Sequence, residues 1–249
     1  MVPDNSIVLM GCGDVGPIHE PMNHYATLAR PTLATADLRF GQCERLYSER
    51  PPTQLHSGYA LKHGRLKPHM ASIFRECGLD VVSLAGNHAM DFGAETLLDT
   101  IDTLRDLGIQ VVGAGRNIEE ARKPVIIERK GVKVAFLAYC SVLNEGFAAG
   151  PNSPGAAPMR AYTYYRTIDY QPGTAPVVVT VPYEDHLKAK VADIAAIRKS
   201  VDAVVLSLHW GLHYVPKVIV DYQPIVAKAA FDAGADVILW ATTPMCPRA

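Results

Sequence analysis

Apolar positions along the chain fall into short β-branched or aliphatic runs that alternate with stretches of helical period. Runs at 7–10, 79–84, 109–112, 177–181, 203–208 and 236–239 predict buried strands, with a further short strand at 37–40. Residues 124–129 and 132–139 predict two more strands, joined by the hairpin signal Lys130-Gly131. Helices are predicted at 22–36 (broken at Pro31), 68–77, 94–107, 118–122, 184–200 and 223–233, and Gly78, Gly108 and Gly234 stand where three of them stop. Within 94–107 the residues Leu97, Leu98, Ile101 and Leu104 share one face, and within 184–200 Leu187, Val191, Ile194 and Ile197 do. Strands alternating with helices, with one hairpin among them, predict an α/β fold built on a mixed sheet.

Two stretches break this rhythm. Residues 50–67 carry Pro51-Pro52, Gly58, Gly64 and two histidines, His56 and His63, without fixed spacing, and read as a solvated surface loop. Residues 144–176 are rich in Pro, Gly, Ala and Tyr and read as an extended lid or rim inserted into the domain.

Length and composition narrow the function classes. With 249 residues, of which 49% are hydrophobic, the chain has enough apolar surface for one large domain, placed at 1–239. A net charge of −1 gives no electrostatic case for nucleic acid or an anionic membrane surface as partner. No long uncharged apolar run predicts a membrane span, and no basic-then-apolar leader is visible at the N-terminus. Five dispersed cysteines without CxxC spacing favour reduced thiols, so a cytoplasmic setting is expected.

The chemistry gathers at strand ends. Residues 81–93 read V-V-S-L-A-G-N-H-A-M-D-F-G: a strand, a tight turn through Ala85-Gly86, then Asn87, His88 and Asp91 ahead of a helix starting at Ala94. That is where α/β proteins place ligand-binding groups. Taken alone, Gly-Asn-His also suits a simple turn, and Asp91 also suits a helix cap. Three other predicted strand ends carry Asp14, Glu44 and His209. Two carboxylates, an amide oxygen and imidazoles suit one or two divalent ions such as Zn²⁺, Mn²⁺ or Fe²⁺, and two ions ~3.5–4 Å apart hold both oxygens of a displacement. His88 and Asp91, three apart, fit a general acid and the carboxylate that orients it.

These residues resemble a family. A-G-N-H-A-M-D-F-G (85–93), V-V-G-A-G-R-N (111–117), L-H-W-G (208–211) and D-A-G-A-D-V-I (232–238) are similar to the CapA-type proteins of poly-γ-glutamate capsule biosynthesis, members of the calcineurin-like metallophosphoesterase superfamily. G-D-V (13–15) and A-D-L…E (36–44) fit that superfamily's first two motifs. The resemblance implies a four-layer α/β sandwich of two mixed sheets with helices outside. It implies Asp14 and Glu44 as carboxylate ligands with Glu44 bridging, Asn87 and His209 as ligands of a second metal, and His88, backed by Asp91, as the catalytic histidine.

Two departures stand out. Where the family often has Glu after H-W-G this chain has His213, and where the family continues its D-V-I strand with Gly-His-His-Pro-His this chain reads Leu239-Trp240-Ala241-Thr242-Thr243-Pro244-Met245. Written as CTC TGG GCC ACC ACC CCC ATG, that segment read from its third base gives Leu-Gly-His-His-Pro-His. The tail at 240–249 is therefore expected to be out of frame, the second sheet and the metal site to be incomplete, and an exposed sheet edge to favour self-association. Sequencing the locus decides it: codons that give no Gly-His-His-Pro-His in another frame end this explanation. The functional expectation is a metal-dependent hydrolase acting on an anionic small molecule or polymer, with Arg39, Arg116, Arg160 or Arg166 as candidates to hold the anion. The alternatives are a non-catalytic component of capsule polymer assembly or export, and an inactive truncated fragment.

Overall fold

Two four-stranded sheets carry the structure, a computed structural model that describes residues 6–53, 64–212 and 218–241. In the first, β1 (Leu9–Val15), β2 (Leu38–Cys43), β3 (Val81–Ser83) and β4 (Gln110–Val112) lie in that order and all pair in parallel. In the second, β12 (Val237–Ala241), β11 (Ala203–His209) and β7 (Val132–Cys140) are parallel, and β6 (Val125–Arg129) closes the edge antiparallel to β7. The β6–β7 hairpin turns through Lys130 and Gly131 at φ 50° and 78°, the left-handed pair that a two-residue turn between twisted strands requires. The chain is thus mixed α/β with several sheets.

Strand alternation explains how the layers meet. In β7, Val134, Phe136, Ala138 and Cys140 join Leu38, Phe40, Val81 and Val112 of the first sheet in one apolar cluster. The intervening Ala135, Leu137 and Tyr139 turn the other way and pack with Val204, Leu206 and Leu208 of β11, Ile194 of the helix Glu184–Arg198 and Val226 of the helix Tyr222–Asp232. A third cluster joins Val82 and Leu84 to Leu97, Ile101 and Leu104 of the helix Ala94–Asp106. Phe40 and Phe136 stack across the two sheets with ring centroids 5.9 Å apart and planes within 6°.

Several sequence expectations change. The strand expected at 7–10 runs on to Val15, through the glycines expected to end it. Within 144–176, β8 (Gly155–Ala156) pairs with β5 (Ala114–Gly115), and β9 (Ala161–Arg166) pairs antiparallel with β10 (Val177–Pro182). Phe147, Ala156, Ala157 and Met159 are buried, so the first half of this stretch packs into the domain, while Tyr164, Tyr165 and Tyr170 stay exposed. His56, His63, His213 and residues 242–249 lie outside the described residues. Among the described residues no helix is long and apolar enough to cross a membrane.

The helix Glu184–Arg198 holds a further departure. Its apolar pattern places Ile194 inward as expected, but Lys190 is also fully buried, its Nζ donating to the Val226 carbonyl at 2.6 Å. Burial without a counter-charge lowers the Lys190 pKa to about 7. The unfolded chain then binds more protons than the folded one between about pH 7 and the ordinary lysine value near 10.4, and this group's contribution to stability rises with pH across that window. Lys190→Met is expected to raise stability below pH 7 by roughly 1–3 kcal/mol and to remove that rise. Urea unfolding of both proteins at pH 6 and pH 9 checks it; equal pH slopes would contradict it.

Candidate functional site

The site forms where strands of both sheets end. A bulge in β1 decides which side chain reaches it: Gly11 pairs with Phe40, but Asp14 pairs with Gln42, so one extra residue is accommodated between them. Without it Gly13 would oppose Gln42. With it Asp14 takes the sheet face that Gly11 and Phe40 occupy, toward the second sheet. Glu44 follows directly, its backbone N–H donating to the Val15 carbonyl at 3.1 Å.

The turn after β3 is held by its own backbone. Ser83 Oγ accepts from Ala85 N–H at 3.1 Å, and the N–H groups of Ala89, Asp91 and Gly93 donate to the carbonyls of Gly86, His88 and Met90. Gly93, at φ 91°, turns the chain into the helix Ala94–Asp106, a conformation that disfavours any residue with a Cβ. Gly113, at φ 87°, packs under the turn from below: a Cβ there would lie 2.7 Å from that of Ala85 and 2.9 Å from that of Ala138. The turn delivers Asn87, His88 and Asp91 together, with Asn87 and Asp91 buried.

His88 sits between two carboxylates. Its Nδ1 is 2.6 Å from Asp91 Oδ2, and its Nε2 is 3.3 Å from Glu44 Oε1. From the second sheet, the buried His209 at the end of β11 places Nδ1 3.9 Å from Asp14 Oδ1. The structure therefore draws Asp14, Glu44, Asn87, His88, Asp91 and His209 to one group of strand ends. Asp14 Oδ1, Glu44 Oε2 and Asn87 Oδ1 are buried acceptors that receive no hydrogen bond. Among the described residues no group of three or more His, Cys, Asp or Glu side chains is placed to hold a metal ion.

Gln42 belongs to the same group and was not singled out from the sequence. It is 1% exposed, opposes Asp14 on β1 and Ser83 on β3, and packs its carboxamide against Gly86, where an added Cβ would be 2.8 Å from Nε2. Its Oε1 is a fourth buried oxygen without a hydrogen bond. The available signal was its spacing: Gln42 and Glu44, two apart at a strand end, point to one side. Three of the four arginines proposed to hold an anion have partners elsewhere, although Arg160 Nε is buried without a hydrogen bond. Arg39 pairs with Asp80 at 3.1 Å, Arg116 with Asp102 at 3.7 Å, and Arg160 donates to the Asn144 carbonyl at 2.9 Å.

Burial governs the electrostatics. It raises Asp14 to about 6, against the opposing charges of His88 and Arg45. It raises Glu44 to about 7, with the neighbouring Asp14 charge adding to the effect. For His88 burial works against the charged ring, but the Asp91 hydrogen bond and the Glu44 charge outweigh it and lift the pKa above the ordinary value.

The comparisons with known proteins add a family. Residues 11–243 match the family described as Bacterial capsule synthesis protein PGA_cap, which is most of the chain. The chain belongs to this family. It is 29% identical over 180 residues to the PGA biosynthesis protein CapA of Bacillus subtilis (strain 168), covering 71% of this chain and 40% of that protein. It is 30% identical over 177 residues to the capsule biosynthesis protein CapA of Bacillus anthracis, covering 71% and 38%. A probable polyglutamine synthesis accessory protein of Mycobacterium tuberculosis (strain ATCC 25618 / H37Rv) is 27% identical over 220 residues, covering 83% and 46%. The chain thus spans less than half the length of these curated relatives.

The raised carboxyls predict a pH dependence. The folded, chelator-treated protein holds more protons than the unfolded chain between about pH 4, the ordinary carboxylate range, and the Asp14 and Glu44 values of about 6 and 7. Stability is expected to fall as pH rises through that window, and the raised His88 pKa acts in the same direction. Thermal unfolding from pH 4.5 to 8 should show the fall, and Asp14→Asn with Glu44→Gln should flatten it; an undiminished slope in the double variant would contradict the assignment.

Proposed function

We propose that this chain is a metal-dependent hydrolase that acts on an anionic substrate in capsule polymer biosynthesis, poly-γ-glutamate being the polymer its relatives' names point to. The observation that carries this reading is the set of buried oxygens without hydrogen bonds: Asp14 Oδ1, Gln42 Oε1, Glu44 Oε2 and Asn87 Oδ1. Buried polar atoms are nearly always satisfied, and several unsatisfied acceptors of one sign at one place suit a bound cation. With His209 they make an oxygen and nitrogen donor set of the kind that takes Mn²⁺, Zn²⁺ or Fe²⁺. The layering of helices, two facing sheets and helices, read from the three apolar clusters, supports the metallophosphatase-like sandwich.

On this reading Asp14, Glu44, Asn87 and His209 would hold the ions, with Gln42 beside them. Bound divalent ions supply an acidified water and neutralise charge developing on the substrate. The chain's own part is proton and charge control. Asp91 fixes the His88 ring through Nδ1 and leaves Nε2 directed toward the site, facing Glu44. A raised pKa favours the protonated His88 ring, and Nε2 donates its proton to the leaving group as the bond breaks. Asp91 stabilises the cation before that transfer and orients the neutral ring after it.

The test pairs binding with turnover. The wild-type chain, stripped of metal and titrated with Mn²⁺, is expected to bind it and to hydrolyse p-nitrophenyl phosphate or a γ-glutamyl amide. His88→Ala should lower kcat by about 10²–10⁴ while Mn²⁺ still binds, and Asp14→Asn should weaken Mn²⁺ binding itself. No metal binding, or full activity in His88→Ala, contradicts the reading. Polymer binding that survives both His88→Ala and chelation would favour the assembly or export role instead.

A further inference from the structure

Arg45 stands beside the site and has no use in the reading above. It follows Glu44 directly, and its side chain crosses Gly16, the residue after β1: a Cβ on Gly16 would lie 2.7 Å from Arg45 Cγ and 3.3 Å from Nε. The guanidinium is therefore held at the strand end that presents Asp14. Its charge acts on Asp14, on Glu44 and on His88. Yet it forms no ion pair with either carboxylate among the described residues, and Nε and Nη1 are buried with no hydrogen-bond acceptor.

That arrangement is expensive. A buried donor without an acceptor loses its hydration and gains nothing in return, and the loss is larger for a charged group. Arg65 Nη1 and Arg160 Nε are also buried without an acceptor, but of the three arginines only Arg45 acts on Asp14, Glu44 and His88; Arg122 shows the satisfied alternative. Arg122 holds Asp193 through two hydrogen bonds of 2.7 Å and reaches the Ala189 carbonyl with a third. A guanidinium with two N–H groups waiting and a mixed-charge reaction centre alongside matches one ligand chemistry well. Nε and Nη1 each share an edge of the planar guanidinium with Nη2, so an oxyanion on either edge accepts one hydrogen bond from a waiting donor and a parallel one from Nη2.

We propose that Arg45 is the substrate-recognition residue of this site, and that it binds a phosphoryl or carboxylate oxyanion of the substrate beside the strand-end oxygens. This rests on the hydrolase reading for what happens next to that anion, but the binding itself requires only Arg45. Selectivity follows from the geometry. Substrates carrying the oxyanion close to the scissile bond are held, and neutral analogues lose that hold.

The test is calorimetric titration of inorganic phosphate, and separately of acetate, into wild-type protein and Arg45→Met. It is done once with Mn²⁺ saturating and once after chelation at pH 5, where the site carboxyls are largely neutral. Wild type is expected to bind an oxyanion in both conditions, and Arg45→Met to bind it roughly 10- to 100-fold more weakly. A preference for phosphate assigns a phosphoryl substrate and a preference for acetate a carboxylate one, each with the same dependence on Arg45. Equal affinities in wild type and Arg45→Met, or no binding of either anion by wild type, overturn the proposal. Failure of wild type to bind Mn²⁺ counts against the metal reading alone, because the chelated titration still reports on Arg45. Should Arg45→Met not fold, Arg45→Lys decides: it keeps the charge but lacks the fork, a several-fold loss is expected, and wild-type affinity overturns the proposal.

Discussion

The stack of Phe40 on Phe136 is the centre of the contact on which everything else is placed. It joins two sheets that share no backbone hydrogen bonds, within a cluster that also takes Leu38, Val81, Val112, Val134, Ala138 and Val205. Burying each large apolar side chain contributes about 1.5–3 kcal/mol, and an aromatic pair adds about 0.5–1.5 kcal/mol. Face-to-face packing also fixes direction. With β1 to β4 parallel in one sheet and β7, β11 and β12 parallel in the other, the ends of β1 and β11 meet, and His209 comes to 3.9 Å from Asp14. The apolar cluster ends at Cys140 on β7, and polar side chains, Gln42 and His209 among them, gather at these strand ends.

These polar groups work against the stability that the core supplies. Asp14 and Glu44 are partly buried near each other, each with one oxygen shut off from solvent, and both resist ionisation. The β1 bulge turns Asp14 rather than Gly13 toward the second sheet, at the loss of regular pairing. A fold selected for stability alone would keep that strand straight and leave glycine at the position. Bulge, partly buried carboxyls and unpartnered amide oxygens are all accounted for together if a cation binds at these strand ends, which is the physical content of the hydrolase proposal. Arg45 supplies the complementary element, a cation with open hydrogen bonds beside these strand ends.

Much of this was readable along the chain, for identifiable reasons. The turn at 85–93 was legible because a short apolar strand, small residues and a following amphipathic helix each leave a local signature, and the 130–131 hairpin because two left-handed positions demand their residue types. Gln42 and Arg45 were not. A glutamine inside a strand and an arginine after a glutamate look like solvent-facing residues until the second sheet covers one and Gly16 underlies the other. Lys190 escaped likewise, since helical periodicity assigns faces by polarity and cannot foresee a carbonyl at Val226 waiting for an ammonium. The strands within 144–176 were hidden by composition: β8 has only two residues, and β9 exposes tyrosines on both faces, so neither shows apolar alternation.

The most direct measurement of the central claim is an anomalous difference map from crystals of this chain grown with Mn²⁺. The account predicts density bounded by Asp14, Glu44, Asn87 and His209, within coordination distance of their side-chain oxygens and nitrogens and with Gln42 alongside. Manganese bound only at surface histidines or carboxylates, with the strand ends empty at saturating concentration, would contradict it.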